Sequence, residues 1–126
     1  MTAALSVFIG AGLGALLRWG LGIALNPIFP TIPLGTLAAN LLGGFLVGVA
    51  VTSFTLRASL PPEARLFAIT GFLGGLTTFS TFSAEVVTLV TRAQYGWAIV
   101  AAGTHLAGSL VLTAIGMFVA QRALAA

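Results

Sequence analysis

Four long apolar stretches, separated by short connections rich in proline or charge, make up nearly the whole chain. A hydrocarbon core about 30 Å thick needs about 20 helical residues per crossing. Runs of that length with few or no charges occupy about residues 3–25, 34–56, 64–91 and 97–122. The pattern predicts an all-α integral membrane protein with one four-helix transmembrane domain over residues 1–126. Asn26 and Pro27 close the first run, and Pro30 and Pro33 keep the connection out of a helix. Pro61 and Pro62, just before Glu63, mark a new helix start. The first run has no basic segment before it and no cleavage context after it, so it is read as a span and not as a signal peptide. Connections this short force neighbouring spans to be antiparallel, with both termini on one side.

The third run departs from the others at GFLGGLTTFSTFS, residues 71–83. Three glycines followed by five hydroxyl residues hold a continuous helix poorly, which predicts a break near residues 74–78. Inside a bilayer, unwound backbone is tolerated only where protein or a wet cavity satisfies its N–H and C=O groups. Thr77, Thr78, Ser80, Thr81 and Ser83 can supply part of that. Broken membrane helices present carbonyls to cations and helix N-termini to anions, so an ion is expected at the break. The plainer alternative is a glycine packing notch whose hydroxyls bond back to the preceding turn.

Composition narrows the function classes. Hydrophobic residues are 59% of the chain and charged residues 6%, a balance that makes lipid the main solvent. There is no lysine and no aspartate; the net charge of +3 is five arginines against Glu63 and Glu85. No basic tract with interleaved aromatics exists, so no nucleic-acid partner is expected. The absence of cysteine excludes disulfides and thiolate metal sites. No nucleophile and base pairing, phosphate loop or metal-ligand set occurs, so transport is a better class than enzyme. The arginines are nearly balanced between the two faces: Arg57, Arg65 and Arg122 on the terminal side, Arg92 with Arg18 on the other. So small a bias implies insertion both ways round. Four helices also enclose too little interior for a polar path. Together these predict an antiparallel, dual-topology homodimer.

Polar residues recur at helical spacing. Thr77, Thr81 and Glu85 form one stripe in the third span, and His105, Ser109 and Thr113 form another in the fourth. Hydroxyls serve either ion sign. Asn40 adds an amide, with interhelical bonding as its structural alternative. Phe79 and Phe82, three apart, share a face and present positive ring edges to an anion, unless they are lipid-facing filler. Arg18 and Glu85 are the most deeply placed ionisable groups. Arg18 suits an aqueous mouth; Glu85 suits a vestibule, a salt bridge or proton coupling. His105 is read as a structural bond partner, since no second ligand type accompanies it. Gly10, Gly14 and Gly22 share a stripe with Arg18, and Gly44 with Gly48 forms a second small-residue pair, both suited to close helix packing.

Over its whole length the chain resembles the Fluc (CrcB) family of fluoride channels. Gly14, Ala15, Arg18 and Trp19 are similar to its first-helix signature, GTLAAN through Asn40 with Gly43 to its second, GFLGGLTTFSTFSAE to its third, and Gly108 with Ser109 to its fourth. The resemblance implies passive, selective fluoride export across the cell's inner membrane through an antiparallel homodimer with two pores. It implies a central, non-permeating sodium ion held by backbone carbonyls at Gly74 and Thr77. It further implies Phe79 and Phe82, from opposite subunits, as the ring pair of each pathway, and Asn40, Ser80, Thr81, Ser109 and Thr113 as polar positions along it. Glu85 is then a carboxylate on the pathway side and Arg18 the positive group of the vestibule. Two other classes remain open. One is a small proton-coupled, dual-topology multidrug exporter that uses Glu85; the other is a membrane assembly protein with no wet path.

Overall fold

The computed structural model describes all residues, 1–126. Helix α1 (Thr2–Leu25) passes through one 3-10 turn (Asn26–Ile28) into a non-helical connection. Helix α2 (Leu34–Leu56) starts there, and the Asn26 Oδ1 accepts from Gly35 N–H at 2.7 Å, satisfying one of the donors every helix start leaves open. The third span begins as α3 (Pro62–Arg65), with proline and Glu63 in the first turn, where a missing N–H and a negative charge are both favourable. It continues as a wide π-helical stretch (Leu66–Leu73), a short α4 (Gly74–Leu76) and α5 (Phe79–Thr91). Ala93, at φ 57°, makes the left-handed turn into α6 (Tyr95–Ala125). Four segments are long and apolar enough to cross a membrane: Thr2–Ile28, Leu34–Leu56, Pro62–Thr91 and Tyr95–Ala125.

Glycines set how these segments pack. On α1, a Cβ at Gly14 would strike the carbonyl of Phe72, and one at Gly10 the carbonyl of Phe67. Gly71 and Gly75 return the fit against Val7 and Ala11. Between α2 and α6, Gly48 lies against the Thr113 carbonyl and Gly116 against that of Phe45. These contacts form two tight pairs, α1 with the first half of the third span and α2 with α6. Gly22 faces a different neighbour: a Cβ at Gly35, at the start of α2, would strike its Cα, so the end of the α1 stripe packs on α2 and not on the third span. Only 19 of 126 residues are buried, so this single chain encloses little interior of its own. Large apolar side chains such as Phe8, Trp19, Ile99 and Leu110 point outward, as lipid or a partner requires.

The break in the third span is narrower than residues 74–78. Gly74 and Gly75 stay helical, and only Thr77 (φ −84°, ψ 152°) and Thr78 (φ −147°, ψ 118°) are extended. Glycine weakens a helix by propensity, but Gly71 and Gly75 are there so that α1 can approach. The π-helical stretch just before the break closes its hydrogen bonds over one more residue than an α-helix does, a feature common at functional sites.

Candidate functional site

Two extended residues in a membrane helix free backbone groups that need partners. At Thr78 the partner is the Asn40 side chain. Its Oδ1 accepts from Thr78 N–H at 2.8 Å, and its Nδ2 donates to Thr78 C=O at 3.0 Å. One amide thus stands in for a neighbouring strand, pairing both polar groups of one peptide residue. The Thr78 hydroxyl caps α5 by accepting from Thr81 N–H at 3.1 Å and lies 3.3 Å from Ser80 Oγ. On the other side, Thr77 turns its hydroxyl back to the Leu73 carbonyl at 2.8 Å. Arg18 reaches across from α1, its Nε donating to the Gly75 carbonyl at 3.1 Å. A guanidinium at the C-terminal end of the upstream half-helix also complements its dipole.

The break deprives the carbonyls of the upstream turn of their helical donors, and Arg18 replaces only the one lost by Gly75. In a continuous helix the N–H of Thr78 would close on Gly74 C=O, and that of Thr81 on Thr77 C=O. Here the first goes to Asn40 and the second to the Thr78 hydroxyl. Gly74 and Thr77 therefore present hard oxygen acceptors that lack their helical donors, and Gly74 is exposed at the surface of the chain. That donor set fits a cation such as sodium.

Beside the break lies a cavity of about 430 Å³, lined by Asn40, Thr77, Thr78, Phe79, Phe82 and His105, with Ser109, Thr113 and Gly74 along its wall. Phe79 and Phe82 meet edge to face, their centroids 5.5 Å apart. Phe82 also lies 4.7 Å from the imidazole of His105. Phe79 is 80% exposed on the surface of the chain. The Thr113 hydroxyl has one proton for two carbonyls, Gly44 at 2.9 Å and Ser109 at 2.8 Å, so it offers lone pairs rather than a hydrogen to the cavity.

A second cavity, of about 330 Å³, holds Thr81, Glu85, Thr88 and Arg92 beneath Pro30, Thr31 and Pro33. The Glu85 Oε1 accepts from the Thr36 hydroxyl at 2.6 Å. The expected stripe of Thr77, Thr81 and Glu85 is thus divided: the extended residues rotate the register, leaving Thr77 in the first cavity and its two companions in the second. His105, Ser109 and Thr113 sit on uninterrupted α6 and share the first. Ser80 lines neither cavity and contacts Thr78. Arg18 lines neither, being bound to the broken helix.

The sequence pattern gives Thr36 no role, Thr78 only a place among five hydroxyls able to satisfy unwound backbone, and His105 that of a structural bond partner. A signal for Thr36 was present. Thr36, Asn40, Gly44, Gly48 and Thr52 recur every four residues, and all but Asn40 are buried; this polar and small stripe is the inward face of α2.

The profile of the family described as "CrcB-like protein, Camphor Resistance (CrcB)" matches residues 5–117. Among curated proteins, the chain is 62% identical over 121 residues to the "Fluoride-specific ion channel FluC" of Burkholderia cenocepacia strain J2315, covering 96% of this chain and 94% of that protein. It is 59% identical over 120 residues to the proteins of the same name from Burkholderia thailandensis and Burkholderia pseudomallei, covering 95% of this chain and 94% of each.

Proposed function

The chain belongs to the CrcB-like family, and we propose that it is a fluoride channel of the cell's inner membrane, which lets fluoride leave the cytoplasm passively. It is a multi-pass membrane protein and not an enzyme. The observation that carries the reading is the cavity beside the Thr77–Thr78 break, where aromatic edges, hydroxyls and an amide converge without a fixed charge. Fluoride is small and tightly hydrated, so a pore must replace its water with several weak contacts and not trap it. The edges of Phe79 and Phe82 supply positive partial charge, and the polar groups of Asn40, Ser109 and Thr113 line the same space. Thr81 and Glu85 continue the path in the second cavity, with Ser80 beside the helix cap. Arg18, bonded to the Gly75 carbonyl, adds positive potential to the vestibule side.

The functional unit is an antiparallel homodimer with two pores. Support comes from the balanced arginines, the small enclosed interior and the exposure of Phe79 and Gly74. In that dimer the carbonyls of Gly74 and Thr77 would hold a structural sodium ion, whose charge offsets that of the anions in a low-dielectric centre. No separate feature favours a proton-coupled exporter, since Glu85 is engaged by Thr36. Reconstituted protein tests the choice. Phe79→Ile should slow fluoride efflux driven by the fluoride gradient alone; a need for a proton gradient that vanishes in Glu85→Gln would make it an exporter instead.

A further inference from the structure

His105 is the sole histidine of the chain. It is 4% exposed, its Nδ1 lies 3.1 Å from Asn40 Nδ2, and its Nε2 has no partner. The Thr78 peptide decides which nitrogen carries the proton. Peptide N–H only donates and C=O only accepts, so Asn40 Oδ1 must face Thr78 N–H and Asn40 Nδ2 must face Thr78 C=O. One amide proton remains on Nδ2 and is directed at His105, where Nδ1 can only accept it. The imidazole is therefore neutral with its proton on Nε2. Turning the Asn40 amide over would set donor against donor and acceptor against acceptor at Thr78.

We propose that His105 is a positioning residue of the anion path: by accepting at Nδ1 it locks the Asn40 amide in the one orientation that clamps the Thr78 peptide. This rests on the fluoride-conducting reading and assigns the lock that holds the break beside the cavity. Protonating the ring undoes the lock, because an Nδ1–H then faces the Asn40 Nδ2 donor. Relief requires the amide to turn, which breaks both Thr78 bonds, or the ring to move, which shifts its contact with Phe82. No other titratable group faces the ring. Helix α2 carries none between Leu34 and Leu56. On α5, Glu85 is bonded to Thr36 in the other cavity. On α6 the remaining ionisable residues, Tyr95 and Arg122, lie near the two ends.

Fluoride current across planar bilayers tests this, since neutral hydrogen fluoride carries no current at acid pH. The parent current should fall reversibly by at least about tenfold once the pH is lowered far enough to protonate the imidazole, the buffer pH being stepped down from about pH 8. His105→Asn places a carbonyl oxygen near the position of Nδ1; it should keep a larger share of the parent current than His105→Phe at the upper pH and lose the acid response. His105→Phe keeps a ring against Phe82 without an acceptor, and should lower current at least about tenfold at every pH. Nitrogen-15 NMR of histidine-labelled protein in nanodiscs, unambiguous with one histidine, should show Nε2 protonated and Nδ1 bare near neutral pH. A conducting parent with an Nδ1–H tautomer, or with an acid response that His105→Asn retains, would overturn the proposal alone, as would an undiminished His105→Phe. A parent without any fluoride current would overturn the fluoride reading and the proposal with it. If His105→Phe fails to fold, the parent's pH response and its tautomer still decide.

Discussion

Replacing Asn40 by leucine keeps the size of the side chain but strips the Thr78 peptide of both its partners. A buried peptide left unpaired costs about 1–3 kcal/mol, so Asn40→Leu should lower thermal stability in detergent and abolish most fluoride efflux. Asn40→Asp should behave nearly as badly, because a carboxylate accepts from Thr78 N–H but opposes its carbonyl. Conservative change at Thr113 is predicted to be milder. Thr113→Val removes a hydroxyl that the Gly44 and Ser109 carbonyls share, and should cost about 1 kcal/mol. Fluoride-electrode efflux from proteoliposomes, with a melting curve of each variant, separates loss of transport from loss of fold. Equal efflux in Asn40→Leu and the parent would show that the clamp is dispensable.

Helix α2 meets α6 through glycines that admit no side chain. Gly48→Ala would drive a methyl into the Thr113 carbonyl, and overpacking of that kind costs about 1–3 kcal/mol. Gly12→Ala, where nothing lies within 4 Å, is the control and should leave the melting temperature unchanged or slightly raised. Unchanged stability in Gly48→Ala would mean the two helices can part more easily than their packing implies. The four apolar stretches were legible because a bilayer imposes one length and one polarity on every crossing. The break was visible as a composition change, yet its position was not. Both glycine and hydroxyl residues weaken a helix, and only the close approach of α1 shows that Gly71 and Gly75 serve packing while Thr77 and Thr78 unwind. Likewise the period-four stripe of Thr77, Thr81 and Glu85 assumes a continuous helix, which two extended residues interrupt. The Asn40 and Thr78 pairing spans 38 positions, and the Glu85 and Thr36 pairing 49; no local pattern encodes either.

For the assembled molecule, the near balance of arginines is the only orientation signal in the chain. A cysteine-free sequence makes the proposed dual topology simple to test. A cysteine introduced by Thr2→Cys should be half-labelled by a membrane-impermeant reagent from outside, with the rest exposed only after permeabilisation. Full labelling from one side would require every copy to insert the same way and would rule out the antiparallel dimer. The proposed dimer would also complete the site, since one chain offers an ion only a few deprived carbonyls and an exposed Phe79. Family membership, the polar and aromatic cavity and the broken helix meet in a single functional claim, which is passive and selective fluoride conduction. The most direct measurement is a fluoride electrode monitoring purified protein in liposomes, with chloride efflux as the control. Rapid fluoride release down its own gradient, with chloride retained and no proton gradient applied, is the result expected. Fluoride retained as in protein-free liposomes, or chloride released at a similar rate, would contradict it.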